Sequence, residues 1–291
     1  MEREQWAELM RALNDVTRGR TDNAYHRHPS VLIVRVYLWA VLHDRPVSWA
    51  CRRSAWGDRT RPRRLPSQPT MSRRLRTDAV RRLLDRLSAR MAGRAASPLV
   101  KQVDGKPIPV SRHSQDGQAA WGRGAGAYAR GYKLHLIDAG GPMPQAFTVT
   151  PMNHSESATA RRLVKQLTGT GYLLGDAGYD DSKLYAAARR ANHKLIAPRR
   201  RPRTGLGKGQ PSDPDRLDAI DRLEQAPQLG NRFGPTLMQL RRRVETTLGN
   251  LTSHGTGLTH LPPWVRGLQR VSLYVHAKLL INAARIRSMR E

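Results

Sequence analysis

Three acids have surroundings that suit carboxylate chemistry. Asp176 stands in Gly171-Tyr-Leu-Leu-Gly-Asp-Ala-Gly-Tyr-Asp180. The apolar run Tyr172 to Leu174 predicts a short buried strand, and Gly178 an immediate turn. A carboxylate just past such a strand lies at the carboxyl edge of a sheet, where open α/β folds bind ligands. Asp176 could equally cap the helix that follows, and the stretch alone does not choose. Asp104 closes a second strand-like run, Leu99 to Val103, in Asp104-Gly-Lys106. Glu245 lies among cations in Arg241-Arg-Arg-Val-Glu-Thr, where an acid without a task would be unexpected. Three carboxylates suit the hard ions Mg²⁺ and Mn²⁺. Two such ions about 3.5–4 Å apart can activate water or a 3′-hydroxyl and stabilise the leaving oxygen in an in-line attack on phosphate.

The elements that must position these acids fall into two regions. Residues 1–95 read as helical and contain no lysine; their 21 arginines and 9 acids leave +12. Gln5 to Arg18 and Ser30 to Leu42 carry helical apolar spacing, and Pro46 to Trp56 holds a short helix. After a basic loop, Ser67 or Thr70 caps a further helix whose first turns present Ser72, Arg73, Arg74 and Arg76. Short helix, turn, second helix rich in Ser and Arg is the outline of a helix-turn-helix, whose second helix meets base edges in the major groove. An ordinary basic helical hairpin fits the same residues. Asp78 to Met91 is a packing helix, and Ala92 to Pro98 the boundary.

Residues 96–291 follow another pattern. Strands are expected at Leu99–Val103, Gly131–Asp138, Pro144–Thr150, Tyr172–Gly175 and Lys194–Ala197. Helices are expected at His154–Leu167, Asp181–Ala191, Asp215–Glu224, within Gly234–Leu251, and at Gly267–Arg287. Pro198 to Pro214 is rich in Arg, Gly and Pro and reads as a loop. The order β-β-β-α-β-α-β-α is that of a ribonuclease-H-like α/β fold, a mixed five-stranded sheet flanked by helices. There the first and fourth strands are parallel neighbours about 4.8 Å apart, so Asp104 and Asp176 converge. A helix crossing that edge supplies Glu245.

Composition narrows the partner. Lys plus Arg is 51 against 23 acids, a formal charge of +28, which points to a polyanion. No apolar run approaches the ~18 residues of a membrane span, and no charged-then-apolar leader is expected. The single cysteine, Cys51, excludes an intrachain disulfide and a Cys-based zinc site. A cytoplasmic, nucleoid-associated protein is the expectation. Other polar residues have plainer readings: Asp138 as a turn residue, Asp180 and Asp181 as caps, Asp116 as part of a solvated loop, and His135 and His154 as structural or surface groups. Trp6, Trp39, Trp49 and Trp56 read as packing residues.

Five blocks in order resemble bacterial insertion-sequence transposases of the DDE type, in the broad IS-four and IS-five assemblage. They are Val103-Asp104-Gly-Lys106, Ala129-Arg-Gly-Tyr-Lys133, Pro144-Gln-Ala-Phe-Thr-Val-Thr150, Gly175-Asp-Ala-Gly-Tyr-Asp180 and Arg242-Arg-Val-Glu245. The acids are 72 and 69 residues apart along the chain. The resemblance implies that Asp104, Asp176 and Glu245 hold Mg²⁺ (or Mn²⁺), two ions per site. It implies double-stranded DNA as partner, as terminal inverted repeats and target, and a homodimer on that DNA. Arg241 or Arg242 would contact DNA phosphate near the site; Lys106, Arg130 and Lys133 read as further DNA contacts, with simple surface charge an equal reading of the two lysines. Relatives often place Tyr seven residues before the Glu and Lys seven after; here stand Met238 and Thr252, and His254 is the nearby alternative to that Lys. A junction resolvase of the same fold, or a catalytically degenerate DNA-binding regulator, remains an alternative.

Overall fold

A computed structural model describes residues 2–19, 27–58, 60–93, 98–124, 126–202, 213–252 and 257–289. Five helices come first: α1 (Glu2–Thr17), α2 (Ser30–Leu42), α3 (Val47–Ala50), α4 (Gln68–Arg74) and α5 (Asp78–Ala92). The Ser67 hydroxyl caps α4 by accepting from the Thr70 amide at 3.4 Å, with Pro69 in the first turn. The strands and remaining helices alternate: β1 (Val100–Pro109), β2 (Ala120–Arg123), β3 (Tyr128–Asp138), β4 (Ala146–Pro151), α6 (Glu156–Leu163), β5 (Gly171–Leu174), α7 (Ser182–Arg190) and β6 (His193–Ile196). Then follow α8 (Pro214–Ile220), α9 (Phe233–Gln239), α10 (Arg242–Thr252) and α11 (Leu268–Ser288).

The strands form one mixed sheet in which β1 is central, antiparallel to β3 and parallel to β5, with β6 parallel beyond β5. This is the ribonuclease-H-like arrangement. The outer edge of β3 is shared: its first residues pair with β2 and the rest with β4. The sheet therefore has six strands, not five. The extra strand comes from the glycine-rich excursion after Ser111 and is held by pairing rather than by its own composition. A Cβ at Gly122 would lie 2.5 Å from the Met152 carbonyl oxygen, so only glycine fits there. β1 also runs to Pro109, beyond the expected end at Val103, because β3 continues to pair with it after β5 has ended.

Apolar residues cover both faces. Val103, Ile137 and Leu173 share one face and cluster with residues of α6 and α7. On the other face Ile108, Leu134, Leu136 and Val149 join α11 and the N-terminal helices in one cluster. That cluster contains Trp6, Trp39 and Trp56, with the Trp39 and Trp56 rings stacked 4.8 Å apart. Polar pairs add to the join: the fully buried Lys278 ammonium lies 2.6 Å from Asp44, and Arg287 reaches Glu8 at 2.6 Å. Among the described residues no helix is long and apolar enough to cross a membrane.

The helix expected within Gly234–Leu251 is broken. Its turns shift at Leu240 and Arg241, between α9 and α10, and Leu240 is exposed although Leu237, Val244 and Leu251 are buried. At the break a residue distant in sequence makes contact: the Gln102 side-chain amide on β1 donates to the Leu240 carbonyl at 3.2 Å.

Gly171 sets the contact between β1 and β5. Its φ is +131°, and a Cβ there would lie 2.0 Å from the Leu99 carbonyl oxygen. Gly171→Ala should therefore destabilise the chain by more than the ~1–3 kcal/mol of backbone strain alone. Gly140→Ala, at φ +74° with open space, should carry only that strain. Urea denaturation of both variants checks this; equal losses would mean that the strands do not meet as closely as described.

Candidate active site

The β1–β5 register pairs Val100 with Tyr172, Lys101 with Leu173 and Gln102 with Leu174. Asp104 and Asp176 each lie two residues past the last pair, so they stand level on neighbouring strands. The Asp104 carboxylate accepts from the Gly105 amide at 2.7 Å. Asp176 accepts from the Gly178 amide at 2.8 Å and caps the 3₁₀ turn Ala177–Tyr179. Both readings of Asp176 are thus present, as a cap and as an edge carboxylate. Burial pushes the Asp104 carboxyl pKa up, against the pull of the Gly105 amide and Arg241, and the charges of Asp176 and Glu156 add to the rise.

Glu245, on α10, is 59% exposed in its side chain. Arg241 links it to the strand edge, with one guanidinium nitrogen 3.4 Å from Glu245 and the other 3.3 Å from Asp104. The helix break places Arg241 there, just ahead of α10. In this arrangement no three His, Cys, Asp or Glu side chains among the described residues lie close enough together to hold an ion. The donors nevertheless fit a hard cation in kind. They are carboxylate oxygens on adjacent strands, and the fully buried Tyr179 hydroxyl beside them has no hydrogen-bond partner.

The other candidate residues are placed as follows. Lys106 donates to the Thr252 hydroxyl at 2.6 Å; His254 lies outside the described residues. Lys133 is buried against Glu156, 2.5 Å away. Arg130 donates to the carbonyls of Ser114, Asp116 and Ala119, so its guanidinium ties down the loop before β2. Arg242 is exposed. α4 ends at Arg74, so Arg76 lies just beyond it, and the four expected contact residues divide between two clefts. Ser72 and Arg76 line one of about 990 Å³ that reaches β4 and α11. Arg73 and Arg74 line another of about 960 Å³ with Arg27, Arg53, Arg63 and Arg64. Arg74 is nearly buried and donates to the Ser30 hydroxyl at 3.0 Å.

Several plainer readings are also settled. Asp116 is buried, not solvated: Tyr132 and the Gly267 amide both donate to it at 2.8 Å. Asp138 accepts from the Gly140 amide and from Thr247. Asp180 pairs with Arg216, and Asp181 caps α7. His135 is buried with its pKa pulled down to about 3 by desolvation, and it shares a hydrogen bond with Thr150. It is a neutral structural group. Sequence reasoning overlooked Glu156. It is the first residue of α6, and only the tertiary fold brings it to the two aspartates. Tyr179 had a signal, in Gly175-Asp-Ala-Gly-Tyr, but its role depends on that same packing.

Residues 96–281 match the family of the transposase DDE domain. That span is more than half of the chain, which therefore belongs to this family. No curated protein matches it. Among solved structures it is similar to a cryo-EM structure of a piggyBac transposase synaptic complex with hairpin DNA, at 10% identity and a TM-score of 0.37. The match covers 72% of this chain and 52% of that one, so the chain spans about half the length of that protein.

The raised pKa of Asp104 has a consequence for stability. Its ionised form is costly in the folded chain above the raised value and costs nothing below the ordinary value of 3.8. Asp104→Asn should therefore raise the melting temperature at pH 7.5 in the presence of EDTA, with the gain fading as the pH falls towards 3.8. Thermal melts across that range check it. Destabilisation at pH 7.5 would mean that the Arg241 pairing outweighs burial.

Proposed function

We propose that this chain is a DNA transposase that cuts at the ends of an insertion sequence and joins the freed 3′-hydroxyl to target DNA. The observation that carries the proposal is the level placement of Asp104 and Asp176 on parallel neighbouring strands, with Glu245 reached through Arg241. Asp104, Asp176 and Glu245 would hold one or two Mg²⁺ or Mn²⁺ ions, which supply an activated oxygen nucleophile and neutralise charge at the scissile phosphate.

The chain's own residues do the rest. A DNA phosphate draws Arg241 off the acids, and Glu245 is then free to swing towards Asp104. Lys106 pairs with no carboxylate among the described residues and serves as a second phosphate contact, as does the exposed Arg242. The cleft of Arg27, Arg53, Arg63, Arg64 and Arg73 follows the backbone of the end DNA, and Ser72 and Arg76 lie on the other side of α4. Backbone contacts of this kind fix register, and base-edge contacts select sequence. An element has two ends, so two chains act together on DNA, their two-fold symmetry mirrored in the inverted repeats.

The test mixes purified protein, Mg²⁺, a duplex carrying the element end, and supercoiled plasmid. Cleaved and joined products are expected from the parent. Asp104→Asn, Asp176→Asn and Glu245→Gln should each abolish both products while binding DNA nearly as well as the parent. Cleavage without joining would favour a nuclease of the same fold. Specific binding without either reaction, in Mg²⁺ and Mn²⁺ alike, would favour a DNA-binding regulator.

The basic cleft is tested separately. Arg63→Ala should weaken binding to all duplexes and lower the salt slope of log K by about one. An unchanged slope would remove Arg63 from the interface.

A further inference from the structure

Glu156 occupies the space between the two aspartate turns. A Cβ added at Gly105, directly after Asp104, would lie 3.4 Å from one Glu156 carboxylate oxygen. A Cβ added at Gly178, two residues after Asp176, would lie 3.1 Å from the other. The two glycines leave room for one carboxylate between Asp104 and Asp176. Lys133 enters from β3, its stem crossing Gly105 and its ammonium pairing with Glu156 at 2.5 Å. The Lys133 side chain is almost fully buried, whereas that of Glu156 stays 29% exposed, so an ion can reach the acid.

A cluster of acids under mutual repulsion is not a site by itself. The second observation is Tyr179. It is fully buried, its hydroxyl has no hydrogen-bond partner, and the acids that act on it are Glu156, Asp104 and Asp176. A buried hydroxyl left unpaired loses its hydration with nothing to replace it. A coordinated water between the acids would supply the missing partner.

We propose that Glu156 is a fourth acid of the metal site: Lys133 holds it short of a three-acid cluster in this arrangement, and on ion binding it leaves Lys133 to bind the cation with Asp104 and Asp176. This rests on the metal-dependent reading above. It assigns a part to four residues that the three-acid account leaves unused: Gly105, Lys133, Gly178 and Tyr179. It also gives the cation a further ligand close to the aspartates, where Glu245 stands off in solvent.

The test is calorimetric titration of Mn²⁺ into the full chain without DNA, with circular dichroism melts to check folding. Glu156→Gln should weaken Mn²⁺ binding about tenfold or more, and Asp104→Asn at least as much. Glu156→Asp, which keeps the charge, should recover part of the loss. If Glu156→Gln binds Mn²⁺ like the parent while Asp104→Asn does not, Glu156 serves only as the partner of Lys133 and the proposal is overturned. If Asp104→Asn also binds like the parent, or the parent takes up no Mn²⁺, the metal-site reading itself fails and takes the proposal with it. Should Glu156→Gln not fold, the parent still answers through Fe²⁺ and ascorbate, which cut backbone near a bound ion. Cuts at residues 155–157 beside cuts at 103–105 support the proposal, and cuts at 103–105 alone overturn it.

Discussion

Everything at the site depends on three residue pairs between β1 and β5. Parallel pairing is the weaker kind of ladder and needs a crossover between its strands. Here the connection runs through β2, β3, β4 and α6, so the contact is long-range in sequence and short in extent. Gly171 makes it possible by letting the β5 backbone lie against Leu99, and the Tyr172 amide then donates to the Leu99 carbonyl at 2.6 Å. A slip of one residue would turn Asp104 to the opposite face from Asp176. Leu173 and Leu174, on opposite faces of β5, are both fully buried.

Around this edge the chain sets cations against acids that burial would otherwise neutralise. Arg241 lies between Asp104 and Glu245, and Lys133 holds Glu156. Each pairing is the kind that a divalent ion or a phosphate can replace: Arg241 reaches Asp104, and Lys133 reaches Glu156, from a separate element. Arg241 is delivered by the break before α10, and Lys133 by the middle of β3. Elsewhere the excess of arginine gathers beside α4, away from the acids.

Local signals along the chain specified local structure. Gly171 to Asp180 read as strand, edge acid and turn, and Ser67 could be recognised as a cap because a cap needs only the next three residues. The strand order placed Asp104 and Asp176 on parallel neighbours. What the sequence hid was set by groups far apart in the chain. Gln102 meets the helix break at Leu240 from 138 residues away. Ser30 takes up Arg74, and the Gly267 amide helps to bury Asp116. Arg130 sits in a motif that resembles a DNA-contacting block, yet three loop carbonyls occupy it. Glu156 carried no signal at all, since only the packing of α6 on the sheet brings it to the acids.

The central claim is that the paired ends of β1 and β5 hold a divalent cation. Anomalous diffraction from crystals soaked in Mn²⁺ tests it most directly. The account expects an anomalous peak between the Asp104 and Asp176 carboxylates, lost in Asp104→Asn crystals. A peak elsewhere, or none at that edge in fully ordered crystals at millimolar Mn²⁺, would contradict it.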